Sequence, residues 1–381
     1  MTAQNGELLP EYRVIFIWDD NDTDNADNTT LDWMIETMRL TDKDLISRLV
    51  YDDKNPDYVI ASDKYLYADY VINGDKALKT LKRYLKKNKE SVFIFFTYEG
   101  VEPDLNIFDY AFTWNPDLVC GDRIGHNFSY MYDFRNEVPY TNTLTRDEAR
   151  KLLADKRSFC VFMYSHKSEP RDSVFHLLSE YKRVDSTGSY LHNTDTKPSR
   201  NQQDWYELSV EIKSGYKFSI AMENATYKGY TSEKLIASLR AHTVPIYWGD
   251  PAVTDYINPK AFINVSDYSS LDEVLERVKE IDNNDELWLD MVTQPWQTEE
   301  QRARTLQGVA DYNSFFRNIF SQDIKKAKRV LRGMIGDRYR RDIRAMVVPC
   351  YVRLFRRTRG KIAKYLPRRL KDYLKKILHY D

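Results

Sequence analysis

Residues Phe218–Tyr268 constrain the fold of this chain more than any other stretch, reading FSIAMENATYKGYTSEKLIASLRAHTVPIYWGDPAVTDYINPKAFINVSDY. A short apolar run gives way to a polar loop, Ser232-Glu233-Lys234 opens a helix, and a second apolar run ends at Gly249. Strand, loop, helix and strand in that order build a parallel sheet. The order sets a carboxylate and an ammonium in the first turn of a helix, just past the carboxyl end of a strand. Open α/β sheets bind phosphorylated ligands at that place, because free N–H groups and the positive end of the helix dipole favour an anion. A nucleotide site is the expectation.

The rest of the chain repeats the alternation. Tyr12–Trp18, Pro56–Ser62, Ser91–Thr97 and Phe108–Trp114 read as buried strands, with a Lys-rich helix around Lys76–Lys87. Phe159–Tyr164 reads as another strand, followed by a helix around Asp172–Tyr181. Strands alternating with helices predict a first α/β domain over 1–150 and a second over 151–320. Ligands favour the interface of two such domains. The acidic run Asp19–Asn25 resembles a calcium loop, but Asn25 stands where Gly is needed and Leu31 where Glu is needed. It reads as a solvated loop.

Charge divides the chain unevenly. Asp323–Asp381 holds 20 Lys/Arg against 5 Asp/Glu, so a tail of +15 follows a body of −16 within a net charge of −1. Leu370, Tyr373, Leu374, Ile377 and Leu378 recur at helical spacing among Arg369, Lys371, Lys375 and Lys376. The span 321–381 is therefore expected to be a basic amphipathic helical tail meeting an anionic membrane surface. Its rival is a tail folded onto the acidic body. No apolar run spans a bilayer, and residues 1–11 lack a signal-peptide pattern, so a cytoplasmic protein, peripheral at the inner face of the membrane, is expected. Cys120, Cys160 and Cys350 show no metal or disulfide spacing. An acidic body without a recognisable binding motif argues against nucleic acid as a partner.

Four ordered words carry a family resemblance: Ala221-Met222-Glu223-Asn224, Tyr230-Thr231-Ser232-Glu233-Lys234, Val244-Pro245-Ile246-Tyr247-Trp248-Gly249 and Phe262-Ile263-Asn264-Val265. Together they closely resemble the α-1,3-fucosyltransferases of glycosyltransferase family 10, most of all the bacterial members. Weaker similarity extends to Thr97-Tyr98-Glu99-Gly100 and Phe108-Asp109-Tyr110-Ala111. The resemblance implies an α/β, GT-B fold: two Rossmann-like domains facing a cleft, the first for acceptor and the second for donor. It implies inverting transfer of L-fucose from GDP-fucose to a hydroxyl of GlcNAc or Glc in an oligosaccharide acceptor of N-acetyllactosamine or lactose type. The rival readings are another GDP-sugar on the same fold and a non-catalytic membrane-associated protein.

The resemblance also implies roles. Glu99 matches the proposed general base, with Glu102 its local competitor; its rival reading is a solvated loop carboxylate. Lys234 and Arg171 match phosphate-binding positions, and Glu233 the carboxylate that meets the nucleotide ribose. Asn224 and Tyr230 are implied contacts of guanine or ribose, Glu223 approaches the fucose, and Gly188-Ser189 form a turn beside the nucleotide. A cation at a helix start opposes the dipole, which itself favours a ligand role for Lys234. With two cations on the diphosphate no metal is required for charge stabilisation, and stimulation by Mn²⁺ is left open. None of the six histidines is assigned. Trp18 and Tyr130-Met131-Tyr132 are candidate stacking faces for the acceptor, with core packing as their rival role.

Overall fold

A computed structural model describes residues 10–17, 28–63, 81, 83–87, 90–195, 205–330, 335–336 and 338. Trp18, the acidic run Asp19–Asn25, half of the expected Lys76–Lys87 helix, Cys350 and the amphipathic tail repeat lie outside the described residues. The described residues fall into two compact units, one drawn from 1–112 and 317–338 and the other from 113–316. The expected boundary near 150 lies inside the second of these.

In the first unit, β1 (Tyr12–Ile17), β2 (Leu49–Tyr51), β3 (Tyr58–Ser62), β4 (Val92–Phe96) and β5 (Tyr110–Thr113) lie in the order β2-β1-β3-β4-β5. All are parallel, with Ile15 opposite Val59, Ile60 opposite Ile94 and Phe95 opposite Ala111. Parallel strands covered on both faces read as continuous apolar runs rather than alternating ones. That is the pattern of Val92–Phe96, every residue of which is buried.

The end of the unit is pinned by one carboxylate. Asp109 has no exposed surface and accepts the N–H groups of Phe93, Arg329 and Val330, each at 2.8 Å. Lys328 Nζ stands 3.6 Å from the same carboxylate and donates to the Ser91 carbonyl oxygen. Residues 328–330 are thereby laced onto β4 and β5.

The second unit opens with a segment carrying short strands β6 (Ile124–His126), β7 (Tyr132–Asp133) and β8 (Val138–Pro139). Trp114 explains why this segment belongs here. Its ring stacks on Tyr130 at 5.6 Å and meets the edge of Tyr230 at the same separation. Its carbonyl oxygen crowds Gly229, whose φ of +81° and missing Cβ allow the approach.

The central sheet of this unit holds β9 (Ser158–Phe162), β10 (Val184–Ser186), β11 (Tyr216–Ile220), β12 (Val244–Tyr247) and β13 (Ile263–Asn264) in the order β10-β9-β11-β12-β13. All pairs are parallel. The expected strand, loop, helix, strand unit is present as β11, the Glu233–Arg240 helix and β12. Both sheets place their second strand outside their first, so the order reverses between the first and third strands. Ligands of open α/β sheets sit at the carboxyl ends of the strands beside that reversal. In the second unit the point lies between β9 and β11. Among the described residues no helix is long and apolar enough to cross a membrane.

Candidate functional site

The chain leaving β11 meets the site first. Glu223 lies three residues past Ile220 and is fully buried, a costly position for a carboxylate unless its oxygens are answered. They are answered. Ser232 donates its backbone N–H at 2.8 Å and its hydroxyl at 2.7 Å to Oε1, and Lys234 Nζ lies 2.9 Å from Oε2. Burial lifts the Glu223 pKa against the pull of Lys234. Desolvation works against the Lys234 charge, but Glu233 and Glu223 outweigh it and its pKa rises.

Gly249 explains part of this. With φ at +155° it takes a backbone that favours glycine, and a Cβ there would come within 2.5 Å of Glu223 Cγ. The glycine that closes the Val244–Gly249 word is the space through which Glu223 passes.

Ser232 is the N-cap of the Glu233–Arg240 helix, as its side chain accepts from the Lys234 N–H. Lys234 Nζ spends two of its three donors on Ser232 Oγ and Glu223 Oε2, and Glu233 stands 3.7 Å off. Its side chain keeps 24% of its surface exposed. Glu233 is half exposed. Desolvation raises its pKa, but Lys234, its own backbone and Lys213 bring it below the ordinary carboxylate value.

The chain leaving β9 supplies the second cation. Arg171, in the Glu169–Tyr181 helix, is buried, with its guanidinium 4.2 Å above the ring of Tyr164. Its Nε–H has no hydrogen-bond partner among the described residues. The adjacent Asp172 accepts the Tyr190 hydroxyl at 2.7 Å instead. A buried guanidinium donor without an acceptor calls for an explanation, and an anion supplies one.

Tyr164 joins the two halves. Its hydroxyl lies 2.9 Å from the Ile220 carbonyl oxygen, 3.0 Å from that of Met222, and accepts the Met222 N–H at 2.8 Å. Lys234, Arg171 and Glu223 all act electrostatically on this buried phenol, which burial pushes far above its ordinary value. Gly188 packs against Tyr164 so closely that a Cβ would sit 2.0 Å from the Tyr164 carbonyl oxygen. Tyr190 N–H reaches that oxygen at 3.0 Å.

Of the expected residues, Glu223, Glu233, Lys234, Arg171 and Gly188 are thus gathered around Tyr164, at the reversal between β9 and β11. Ser189 is exposed beside Gly188, and Asn224 is exposed one residue past Glu223. Tyr230 is buried against Trp114. The Tyr230–Lys234 loop is held by Asp250, which accepts from Gly229 N–H at 2.7 Å and Thr231 Oγ1 at 2.9 Å.

In the first unit, Glu99 follows β4 at its carboxyl end, as expected for Val92–Thr97. Its N–H donates to Thr97 Oγ1 at 2.9 Å, and that hydroxyl lies 2.9 Å from the buried Asp63. Among the described residues no group of three or more His, Cys, Asp or Glu side chains is arranged to hold a metal ion.

Tyr164 and Lys213 went unnoticed in the sequence. Tyr164 lies in an apolar run where a tyrosine reads as packing. Lys213 sits one residue from the end of a helix, where a lysine reads as a surface charge.

Residues 153–318, which contain Arg171, Tyr164, Glu223 and Lys234, match the family model described as glycosyltransferase family 10 (fucosyltransferase), C-terminal. This segment is similar to the glycosyltransferase family 10 (fucosyltransferase) domain. A putative fucosyltransferase of Acanthamoeba polyphaga mimivirus is 34% identical over 172 residues, 44% of this chain and 27% of the relative. The alpha-(1,3)-fucosyltransferase FucT of Helicobacter pylori is 28% identical over 264 residues, 60% of this chain and 53% of the relative. A GDP-fucose protein O-fucosyltransferase 3 of Xenopus laevis is 32% identical over 40% of this chain and 34% of the relative. The chain spans about half or less of these curated relatives. A crystal structure of an alpha1,3-fucosyltransferase superposes with a TM-score of 0.60 at 22% identity, over 85% of this chain and 93% of that one. A crystal structure of an alpha1,3-fucosyltransferase with GDP-fucose gives 0.57 at 21%, over 85% of this chain and 94% of that one. The fold is therefore an α/β fold with parallel sheets, similar to that of the GT-B fucosyltransferases, and the cations around Tyr164 lie within the matched segment.

Proposed function

We propose that the chain transfers L-fucose from GDP-fucose to a hydroxyl of GlcNAc or Glc in a lactosamine- or lactose-like glycan, forming an α-1,3 linkage with inversion. The observation that carries this reading is Arg171, a buried guanidinium with an unanswered donor, sharing Tyr164 with Lys234 inside the family 10 domain. Two cations neutralise the diphosphate as it leaves. The acceptor oxygen attacks the fucose anomeric carbon, the bond to GDP breaks on the opposite face, and the acceptor proton passes to Glu99 as general base. Glu233 receives the ribose hydroxyls, Asn224 and Tyr230 border the nucleotide, and the Gly188-Ser189 turn flanks it. Glu223, fully buried, acts by holding Lys234 rather than by touching the sugar.

Incubation with GDP-fucose and a panel of N-acetyllactosamine, lactose and a Ser/Thr peptide tests the reading by product mass and linkage. Fucosylated N-acetyllactosamine or lactose is expected. No fucosylated product on any member of the panel overturns the proposal. A second reading, fucosylation of a protein hydroxyl, is favoured by the O-fucosyltransferase relative and would show as a modified peptide alone. Glu99→Gln should lower kcat about 10²- to 10⁴-fold with little change in donor affinity. A loss below about tenfold removes its role as base.

The basic stretch 321–381 is proposed to hold the protein at an anionic membrane surface on the cytoplasmic side. Flotation with anionic vesicles should be lost at high salt, and equal binding to neutral vesicles would reject an electrostatic anchor.

A further inference from the structure

Lys213 is a buried charge without a task in the reaction above. It is the ninth residue of the Trp205–Ser214 helix and keeps only 6% of its surface. Its ammonium donates to the Lys234 carbonyl oxygen at 3.3 Å, an oxygen that Ser238 Oγ also reaches at 2.8 Å. It makes no ion pair of its own among the described residues. The other charges nearby are spoken for. Glu207 on the same helix is held by Arg240 through bonds of 2.7 and 2.9 Å, and Lys217 on β11 pairs with Asp282. The groups acting on Lys213 are Glu233 and Lys234 from the neighbouring helix and Glu223 from the end of β11. These are the residues of the nucleotide site. A buried ammonium without a carboxylate partner burdens the fold, and an apolar residue of similar volume would relieve it.

We propose that Lys213 is a third, buried cation of the nucleotide site, a positioning residue that supports the first turn of the Glu233–Arg240 helix from beneath and adds its field to that of Lys234 on the diphosphate. The inference rests on the reading of this site as a GDP-sugar site. Burial pushes the Lys213 pKa down to about 8, from 10.5 in an exposed lysine. Its charge is therefore present at neutral pH and fades as pH passes about 8. Between those two values the unfolded chain binds the proton more tightly than the folded one, so this residue's contribution to stability improves as pH rises. Affinity for the diphosphate moves the other way, because an arriving anion favours the charged ammonium.

Calorimetric titration of GDP into the full chain and into Lys213→Met tests this, at pH 7 and 8.5 and in two buffers with different heats of ionisation. Wild-type affinity should fall about threefold between those pH values, with proton uptake on binding. Lys213→Met should bind about tenfold more weakly at pH 7, lose both the pH response and the proton uptake, and melt no lower than wild type. Equal GDP affinity and equal proton uptake in the two proteins would overturn the inference while leaving the donor reading intact. A wild-type chain that does not bind GDP at all would overturn both. If Lys213→Met fails to fold, Lys213→Arg decides the matter: always charged, it should keep its pH 7 affinity at pH 8.5, and a wild-type decline there counts against the proposal.

Discussion

Changing Lys234 to Ala is expected to slow fucosyl transfer by about a hundred- to a thousandfold and to lower stability by about 3 kcal/mol. The two losses have separate causes. The catalytic loss follows from removing one of the two cations proposed to meet the leaving diphosphate. The stability loss follows from Glu223, which has no exposed surface and would keep only the Ser232 donors. Stranding one member of a buried pair is far more costly than removing both. Glu223→Gln combined with Lys234→Met should therefore recover most of the stability while leaving transfer as slow as in the single variant. Thermal melting and initial rates on the same preparations separate the effects. A folded Lys234→Ala protein with near wild-type turnover would remove Lys234 from the reaction.

Asp109→Ala should destabilise the first unit by about 4 kcal/mol, a fall of roughly 10 °C in its melting temperature. The substitution removes the common acceptor of Phe93, Arg329 and Val330 N–H and leaves Lys328 with a charge it cannot expose, since its side chain keeps 2% of its surface. Asp109→Asn should lose less, because an amide oxygen still accepts hydrogen bonds. Truncation ahead of Lys328 should resemble Asp109→Ala, because it removes the Arg329 and Val330 donors and the Lys328 charge from the carboxylate. Truncation after residue 338 should leave this anchor whole. Differential scanning calorimetry on the four proteins gives the order. An Asp109→Ala protein within about 1 kcal/mol of wild type would contradict the anchor.

The local rules of the chain were readable in advance. Both parallel sheets follow from short apolar runs alternating with helical stretches, and Ser232 declares itself as a cap by standing before Glu233-Lys234. What escaped depends on contacts between distant residues. Glu223 in the word Ala221–Asn224 reads as a carboxylate at a strand end, free to meet a ligand. It is buried because Ser232 and Lys234 fold back over it and Gly249 leaves it room, which no local pattern announces. Trp114 reads as the end of a first-domain strand, yet its ring contacts with Tyr130 and Tyr230 draw the following segment into the second unit. Arg171 is visible as a basic residue after a strand. Its lack of an acceptor depends on the packing around it, which no local pattern records. Arg329 and Val330, two of the residues whose N–H groups Asp109 accepts, lie more than 200 positions away.

The central claim is that Arg171 and Lys234 hold a diphosphate at the reversal point of the second sheet. The most direct test is to titrate GDP and guanosine separately into the wild-type chain. Two charge-assisted contacts each contribute about 1.5–3 kcal/mol, so GDP should bind at least about a hundredfold more tightly than guanosine. Equal affinities for the two would mean that neither cation meets a phosphate.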